Sequence, residues 1–188
     1  DAVVCQGALK IGDRVFHCWD QEGHGPLVLA EALRESCNVY FMHVGRKLGA
    51  TRLLAGMGEA GGGKLTGWPL EERAGSLPQR RLTEGEVAML AIGQGELLVT
   101  PIEAAVMVSV FANDGWLVKP WVVKDIGGQP VAKPSPARIG WSGETLEAVR
   151  VGMRAVVAHP EGTGHHAFSS QVTIAAKTGT AQTHLPGR

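Results

Sequence analysis

The 188-residue sequence lacks a long apolar run, an excess of either charge and an even set of cysteines. No stretch of 18 or more apolar residues is present, so no transmembrane helix is expected within it. Lys and Arg number 18, as do Asp and Glu, and this balance argues against binding nucleic acid by counterion release. Three cysteines are too few for a disulfide scaffold and cannot all pair with one another.

What is present indicates a folded domain. Hydrophobic residues make up 44% and charged residues 19% of the chain, which excludes a charged disordered tail. The length suffices for one domain, or a large part of one, with a buried core. The first residues lack both Met and a basic signal-peptide region, and we expect the chain to be a fragment of a longer protein.

Local patterns predict helices mixed with few strands, an α+β arrangement. Residues 27–48 read as a helix in two pieces, with Ser36-Cys37-Asn38 at the junction, because Ser and Asn favour caps and turns. Thr100-Pro101-Ile102-Glu103 is a capping box that begins a second helix. Ser142 begins another helix that Pro160 ends. Residues 1–26 read as loops and short strands, 56–81 as an extended Gly-rich loop, and 172–181 as a strand.

Two glycine patterns resemble phosphate-binding loops but lack the required context. The Gly56–Gly61 segment follows a helical pattern rather than a strand, and Leu65 stands where a P-loop needs Ser or Thr. We therefore expect no organic cofactor.

Two short motifs are informative together. Lys177-Thr178-Gly179 follows an apolar strand-like run, where a lysine is costly unless it meets an anion or has a chemical role. Ser36-Cys37-Asn38 lies upstream. In this order the two form the Ser-x-Asn and Lys-Thr-Gly set of penicillin-binding proteins and serine β-lactamases.

On these motifs the chain resembles the transpeptidase domain of class B penicillin-binding proteins, most closely the elongation-type penicillin-binding protein 2 subgroup. Five stretches carry the resemblance: Phe16-His17-Cys18-Trp19, Gly23-His24-Gly25, Ser36-Cys37-Asn38-Val39-Tyr40-Phe41, Ile92-Gly93-Gln94-Gly95 with Val99-Thr100-Pro101, and Ala176-Lys177-Thr178-Gly179-Thr180-Ala181-Gln182. The fold implied is a partial transpeptidase domain of the penicillin-binding protein and serine β-lactamase type, with an antiparallel sheet and a helical subdomain.

One departure from the family pattern is decisive. The family nucleophile lies in Ser-x-x-Lys, and none of the seven serines here has Lys three residues later. We therefore expect residues 1–188 to correspond to the central part of the domain, without the nucleophile segment and the final strands. This chain alone is expected to be inactive.

The resemblance implies catalytic roles for three residues. The reaction is acyl transfer from a D-Ala-D-Ala stem peptide through a serine acyl-enzyme, and β-lactams would acylate the same serine. Ser36 can pass a proton between a lysine and the leaving amine. Asn38 can hold the substrate amide and orient the motif lysine. Lys177 supplies positive charge and tunes local proton affinities.

The same resemblance implies a substrate-binding segment at Thr178, Gly179 and Thr180. The threonine hydroxyls can bind the substrate carboxylate, and the Thr180 N–H can donate to the oxyanion. Gly179 removes a side chain where a ligand must approach.

Partners and location follow from the family as well. We expect peptidoglycan stem peptides, β-lactams and a membrane-embedded glycan polymerase as partners, no nucleic acid, and a place on the periplasmic face of the bacterial inner membrane. A penicillin-sensing receptor domain, a serine β-lactamase-like protein and a non-catalytic scaffold stay open as alternatives.

The cysteines suggest a metal. Cys5, Cys18, His24 and Cys37 have the number and type of ligands of a closed Cys₃His zinc site. A disulfide with one free thiol, or three buried thiols, are the alternatives. Some members of the resembled subgroup carry a metal near the active centre, where His24 and Cys37 fall on ligand positions, Cys18 replaces an Asp, and Cys5 aligns loosely. We predict structural zinc.

Overall fold

The computed structural model describes residues 2–180 of the chain. In chain order the elements are β1 (Val3–Cys5), β2 (Ala8–Ile11), β3 (Arg14–His17), β4 (Gly25–Leu27), α1 (Leu29–Arg34), α2 (Asn38–Glu59), α3 (Glu84–Ala91), α4 (Pro101–Ala112), β5 (Trp116–Leu117), β6 (Asp125–Ile126), β7 (Gln129–Pro130), β8 (Ala137–Arg138), α5 (Gly143–Ala158) and a 3₁₀ turn (His165–Ala167). In the described residues, no helix is both long and apolar enough to cross a membrane.

The chain divides into two compact units, and the first comprises Asp1–Ala50, Arg81–Gly95 and Glu147–Arg188. In this unit β1 pairs with β4 and β2 with β3, both antiparallel. The buried residues around these ribbons and the first turns of α2 include Cys5, Cys18, Leu27, Ala32, Cys37, Val39 and Tyr40. A neighbouring group joins β2, β3, α2 and α3 through Ile11, Phe16, Met42 and Ala88. The cysteines thus form part of the core of this unit.

The second unit comprises Thr51–Arg80 and Glu96–Leu146. It holds α4 and two antiparallel two-stranded ribbons, β5 with β8 and β6 with β7. Its core contains Val110, Ile139 and Leu146. Helix α2 is interrupted at Gly49, whose backbone has φ 77° and ψ 164° and therefore leaves helical geometry.

The mixture of helices and antiparallel strands confirms the predicted α+β class. The predicted helix in two pieces is α1 followed by α2. Ser36 and Cys37 lie between the two helices, and Asn38 begins α2. The Thr100 hydroxyl accepts the N–H of Glu103, and the Glu103 carboxylate returns to the N–H of Thr100, which confirms the capping box of α4. The predicted helix after Ser142 is α5.

Two local predictions were wrong, and one helix was missed. Residues 56–59 continue α2 instead of beginning a loop, and α3 was not predicted. Residues 172–180 form no strand ladder. The described strands form two-stranded pairs in other parts of the chain. The Ala176 N–H instead donates to the Met153 carbonyl at 3.1 Å. Ala181, the last residue of that predicted strand, lies outside the described residues.

Candidate functional site

The Ser36 turn is built from the end of α1. The Ser36 N–H donates to the Leu33 carbonyl at 3.2 Å, and the Cys37 N–H donates to the Ala32 carbonyl at 3.0 Å. Ser36 has φ 53°, the left-handed region that non-glycine residues rarely adopt. Strained backbone of this kind is concentrated at functional sites. Here it occurs at the serine that directly precedes the buried cysteine.

Lys177 meets Ser36 directly. The Lys177 ammonium donates to Ser36 Oγ at 2.7 Å and to the Thr178 carbonyl at 2.9 Å. Partial desolvation by the surrounding walls lowers the pKa of Lys177. The structure therefore brings together the two motifs that the sequence analysis singled out.

These residues line one cleft of about 1030 Å³ within the first unit. Its walls include Phe16, His17, Trp19, Ser36, Asn38, Phe41, Met42, Ile92, Gln94, Thr163, Lys177, Thr178, Gly179 and Thr180. All six predicted catalytic and substrate-binding residues are among them. The Asn38 side-chain amide donates to the His17 carbonyl at 3.3 Å, so β3 orients this side chain.

The Lys-Thr-Gly segment is held by two residues to which the sequence analysis gave no role. Gln94 donates its side-chain amide to the Thr180 carbonyl at 3.0 Å. The Thr178 hydroxyl donates to Thr163 Oγ1 at 3.0 Å. A Cβ at Gly179 would meet no described atom within 4 Å, which leaves room for a ligand there. Ala181 and Gln182 of the same motif lie outside the described residues.

The exposed indole of Trp19 also lines the cleft. Its Nε1–H donates to the Glu35 carbonyl at 2.8 Å, and its ring meets the His24 ring edge-on with centroids 5.1 Å apart. Trp19 therefore connects the serine turn with the segment that carries His24.

Cys5, Cys18, His24 and Cys37 converge behind the Ser36 turn. Their ligand atoms all lie within 4.8 Å of one another. Cys18 Sγ lies 3.6 Å from His24 Nδ1 and 4.0 Å from Cys37 Sγ. The Tyr40 N–H donates to Cys37 Sγ at 3.4 Å, so the start of α2 orients this sulfur. The thiols are unpaired and buried.

The close contact between Cys18 and Cys37 shifts the pKa values of their thiols in opposite directions. The hydrogen bond to Cys37 lowers the pKa of Cys18 to about 4. The same hydrogen bond, together with burial, raises the pKa of Cys37. The lowered pKa favours the thiolate of Cys18, which is the form of cysteine that binds metals.

The donor types and two of their separations fit a tetrahedral zinc ion, within a set whose ligand atoms lie up to 4.8 Å apart. Zn–S bonds of about 2.3 Å and Zn–N bonds of about 2.0–2.1 Å separate two sulfurs by about 3.8 Å and a sulfur from a nitrogen by about 3.6 Å. The observed 4.0 Å and 3.6 Å lie close to these values. The His24 ring approaches Cys18 through Nδ1, and its Nε2 atom is buried without a hydrogen-bond partner.

Sequence comparison identifies the class. The family model described as the penicillin binding protein transpeptidase domain matches residues 3–187. The chain belongs to the penicillin-binding protein transpeptidase domain family.

Particular relatives agree with the penicillin-binding protein 2 subgroup. The chain is similar to the peptidoglycan D,D-transpeptidase MrdA of Escherichia coli K12, with 33% identity over 187 residues, 90% of this chain and 29% of that protein. It is similar to the crystal structure of Pseudomonas aeruginosa PBP2 in complex with WCK 5153, with a TM-score of 0.87 and 33% identity over 98% of this chain and 45% of that one.

The chain is also similar to part of a peptidoglycan synthase complex, whose structure is described as showing the coordination of polymerization and crosslinking. The TM-score is 0.80, with 30% identity, and the match covers 100% of this chain and 33% of that one. The chain spans about 30% of the length of the curated relatives it matches.

Proposed function

We propose that the longer protein carrying this chain is a peptidoglycan D,D-transpeptidase that cross-links stem peptides through a serine acyl-enzyme. The observation that carries this proposal is the 2.7 Å hydrogen bond between Lys177 and Ser36 inside the cleft. Lys177 is exposed and could be solvated without any partner, so its contact with the serine of a turn distant in the sequence favours a chemical role. The name of the MrdA relative supports the same reaction.

In the proposed reaction, a serine supplied by the longer protein attacks the carbonyl carbon of the penultimate D-Ala. The peptide C–N bond breaks, and the terminal D-Ala leaves as an amine that must gain a proton. The proton that the attacking serine hydroxyl gives up is the one that the amine gains, and Ser36 can pass it on because its hydroxyl both accepts and donates. Lys177 stays charged and holds Ser36 in place through their hydrogen bond. An amine from a neighbouring stem peptide then attacks the ester and releases the serine.

Anion binding belongs to the Lys-Thr-Gly segment. Lys177 provides a fixed positive charge for the substrate carboxylate, with Thr180 on the same wall of the cleft. The Thr180 N–H is the proposed oxyanion donor, and Gln94 fixes this residue through its carbonyl. Asn38, anchored on His17, lies where a substrate amide could be held.

We also propose a structural zinc ion bound by Cys5, Cys18, His24 and Cys37, with no organic cofactor. When bound, it would cross-link β1, the Cys18–His24 loop and the start of α2. Cys37 lies between Ser36 and Asn38, so a zinc ion held by these ligands would fix the backbone that carries both side chains.

The proposed partners are stem peptides ending in D-Ala-D-Ala, β-lactam antibiotics and a membrane-embedded glycan polymerase. The similar synthase complex is described as coordinating polymerization with crosslinking, which supports a polymerase partner. The proposed location is the periplasmic face of the bacterial inner membrane, as a cell-wall substrate requires.

One experiment separates the proposed function from its alternatives. The longer protein is incubated with a labelled penicillin, and then with a donor stem peptide and an amine acceptor. We expect a covalent penicillin adduct and a cross-linked product. A stable adduct without product would indicate a penicillin-sensing receptor, rapid penicillin hydrolysis a β-lactamase, and no adduct a non-catalytic scaffold. An adduct on Ser36 of the isolated 188-residue chain would overturn the role given to Ser36.

A further inference from the structure

Thr163 joins the two chemically important segments of the cleft. Its backbone N–H and its hydroxyl donate to the Arg34 carbonyl at 3.2 Å and 3.1 Å. Its hydroxyl oxygen accepts from Thr178 at 3.0 Å. Arg34 ends α1, directly before the Ser36 turn, and Thr178 follows Lys177. A single side chain therefore contacts both partners of the Lys177–Ser36 pair through their chain neighbours.

The segment that carries Thr163 is firmly attached to the end of α5. The Gly162 N–H donates to the His159 carbonyl at 2.9 Å and the Gly164 N–H to the Val156 carbonyl at 3.0 Å. A Cβ on Gly162 would lie 2.3 Å from the Val156 carbonyl oxygen, so only glycine permits this approach. Two tightly packed glycines thus hold the half-buried Thr163 in the cleft wall.

The direction of the hydrogen bonds restricts what each hydroxyl can do. A hydroxyl has one proton to donate. Thr163 donates its proton to Arg34, so it can only accept from Thr178. Thr178 therefore has its own proton engaged, which leaves Lys177 and Thr180 as the groups available to attract an anion. This arrangement makes Thr178 a fixed part of the cleft wall rather than a free carboxylate donor.

We infer that Thr163 is a positioning residue, which keeps Lys177 in register with Ser36 by tying Thr178 to the end of α1. This inference rests on the proposed acyl-transfer function. Without the Thr163 hydroxyl, Thr178 loses its connection to the end of α1 and the Lys177–Ser36 hydrogen bond is left without that second support, while the Thr163 N–H still donates to Arg34. The acylation step should then slow, although no group that touches substrate has been removed.

The test uses the longer protein with Thr163→Val, Thr163→Ser, Thr178→Val and the double Val variant. Thr51→Val, on the exposed side of α2, is the matched control. The dissociation constant for a labelled penicillin and the first-order acylation rate are measured separately. Thr163→Val should lower the acylation rate about tenfold, the effect of one partly buried hydrogen bond. Thr163→Ser should stay within about twofold of wild type, because it keeps the hydroxyl.

The double variant distinguishes positioning from a general structural role. If the two hydroxyls act as a unit, the double Val variant is no slower than the slower single variant, whereas independent effects multiply. Effects that multiply in the double variant, or a Thr163→Val rate equal to that of wild type, would overturn the positioning role but not the proposed function. A wild-type protein that penicillin does not acylate would overturn the proposed function, and this role with it.

Discussion

The ammonium of Lys177 lies 2.7 Å from Ser36 Oγ although 141 residues separate the two in the sequence. The contact joins a helix–helix turn to an extended segment that forms no described strand ladder. A charged hydrogen bond of this kind is short and directional, so it defines the relative position of the two motifs.

Removing the Lys177 charge should slow acylation strongly. In the longer protein, Lys177→Met should lower the rate of penicillin acylation by roughly 10²–10³, the usual effect of losing one preorganised catalytic donor. Lys10→Met, at an exposed position of β2, is the control and should leave the rate unchanged. A normal rate in Lys177→Met would show that Lys177 has no role in acylation.

The pH dependence of the acylation rate should report the ionisation of Lys177. Desolvation lowers the pKa of Lys177 from its ordinary value of 10.5. The charged form exists below this pKa, so acylation should fall as the pH rises through a value lower than 10.5. Lys177→Met should lose this alkaline decrease, which stopped-flow measurements across the alkaline range would show. An alkaline decrease that persists in the variant would assign it to another group.

Cys37→Ser should remove both metal and activity. Wild-type protein purified without chelator should contain about one zinc per molecule, and the variant none, with acylation lost because Ser36 and Asn38 flank the ligand. His166→Gln, at an exposed histidine, is the control and should keep the metal. Metal analysis is paired with a thiol count under denaturing conditions without reductant. No zinc and one free thiol of three would replace the metal site with a disulfide.

Glu103 should be a main determinant of stability in the second unit. Its fully buried carboxylate accepts the N–H groups of Gly63, Gly75 and Thr100 at 2.7–2.9 Å. Glu103→Gln replaces an acceptor with a donor and should lower the free energy of unfolding by about 1–3 kcal/mol. Glu86→Gln is the control, because Glu86 occupies the same place in the exposed capping box of α3. Urea unfolding measures both.

Acidic pH should remove the contribution of the Glu103 carboxylate to the free energy of unfolding. Burial raises the pKa of Glu103, but the hydrogen bonds from Thr100, Gly75 and Gly63 outweigh burial and leave it below the ordinary value. The stabilisation is present above the ordinary carboxyl pKa and is lost as the pH falls through the lowered one. The difference between wild type and Glu103→Gln should therefore shrink in acid. A difference that does not change with pH would contradict the ionised form.

Gly152 should not tolerate a methyl group. A Cβ there would lie 2.4 Å from Leu33 Cδ1 and 3.2 Å from the Ala30 Cα, where α5 packs on α1. Gly152→Ala should lower the free energy of unfolding by about 1–3 kcal/mol through overpacking. Gly56→Ala, in α2 with no atom near its Cβ, should instead raise it by about 0.5–1 kcal/mol. Equal effects of the two substitutions would show that the α1–α5 contact is looser than described.

Local signals predicted much of the fold. The capping box at Thr100 and the junction at Ser36 specify backbone through contacts between near neighbours, so the sequence suffices to find them. Helix α3 begins with the same signal, since Thr83 and Glu86 form a capping box, and the pattern could have revealed it. The strand predicted at 172–181 is absent over the described residues 172–180, because strand pairing depends on a distant neighbour.

The site was predicted in its parts but not in its connections. The identities of Ser36, Lys177 and the four candidate metal ligands came from motifs and residue counting. Thr163 carries no such signal, since its role depends on a carbonyl and a hydroxyl that come from elsewhere in the chain. Only the fold shows that a threonine between two glycines reaches Thr178.

The left-handed backbone at Ser36 has a consequence for how this sequence can change. Glycine adopts φ 53° without steric cost, whereas other residues lose about 1–2 kcal/mol there. Drift toward greater stability would therefore favour glycine at position 36, and that change would delete the hydroxyl that Lys177 contacts. Serine at this position therefore keeps a chemical role at a cost in stability. Selection for thermal stability alone, without regard to activity, should replace it early.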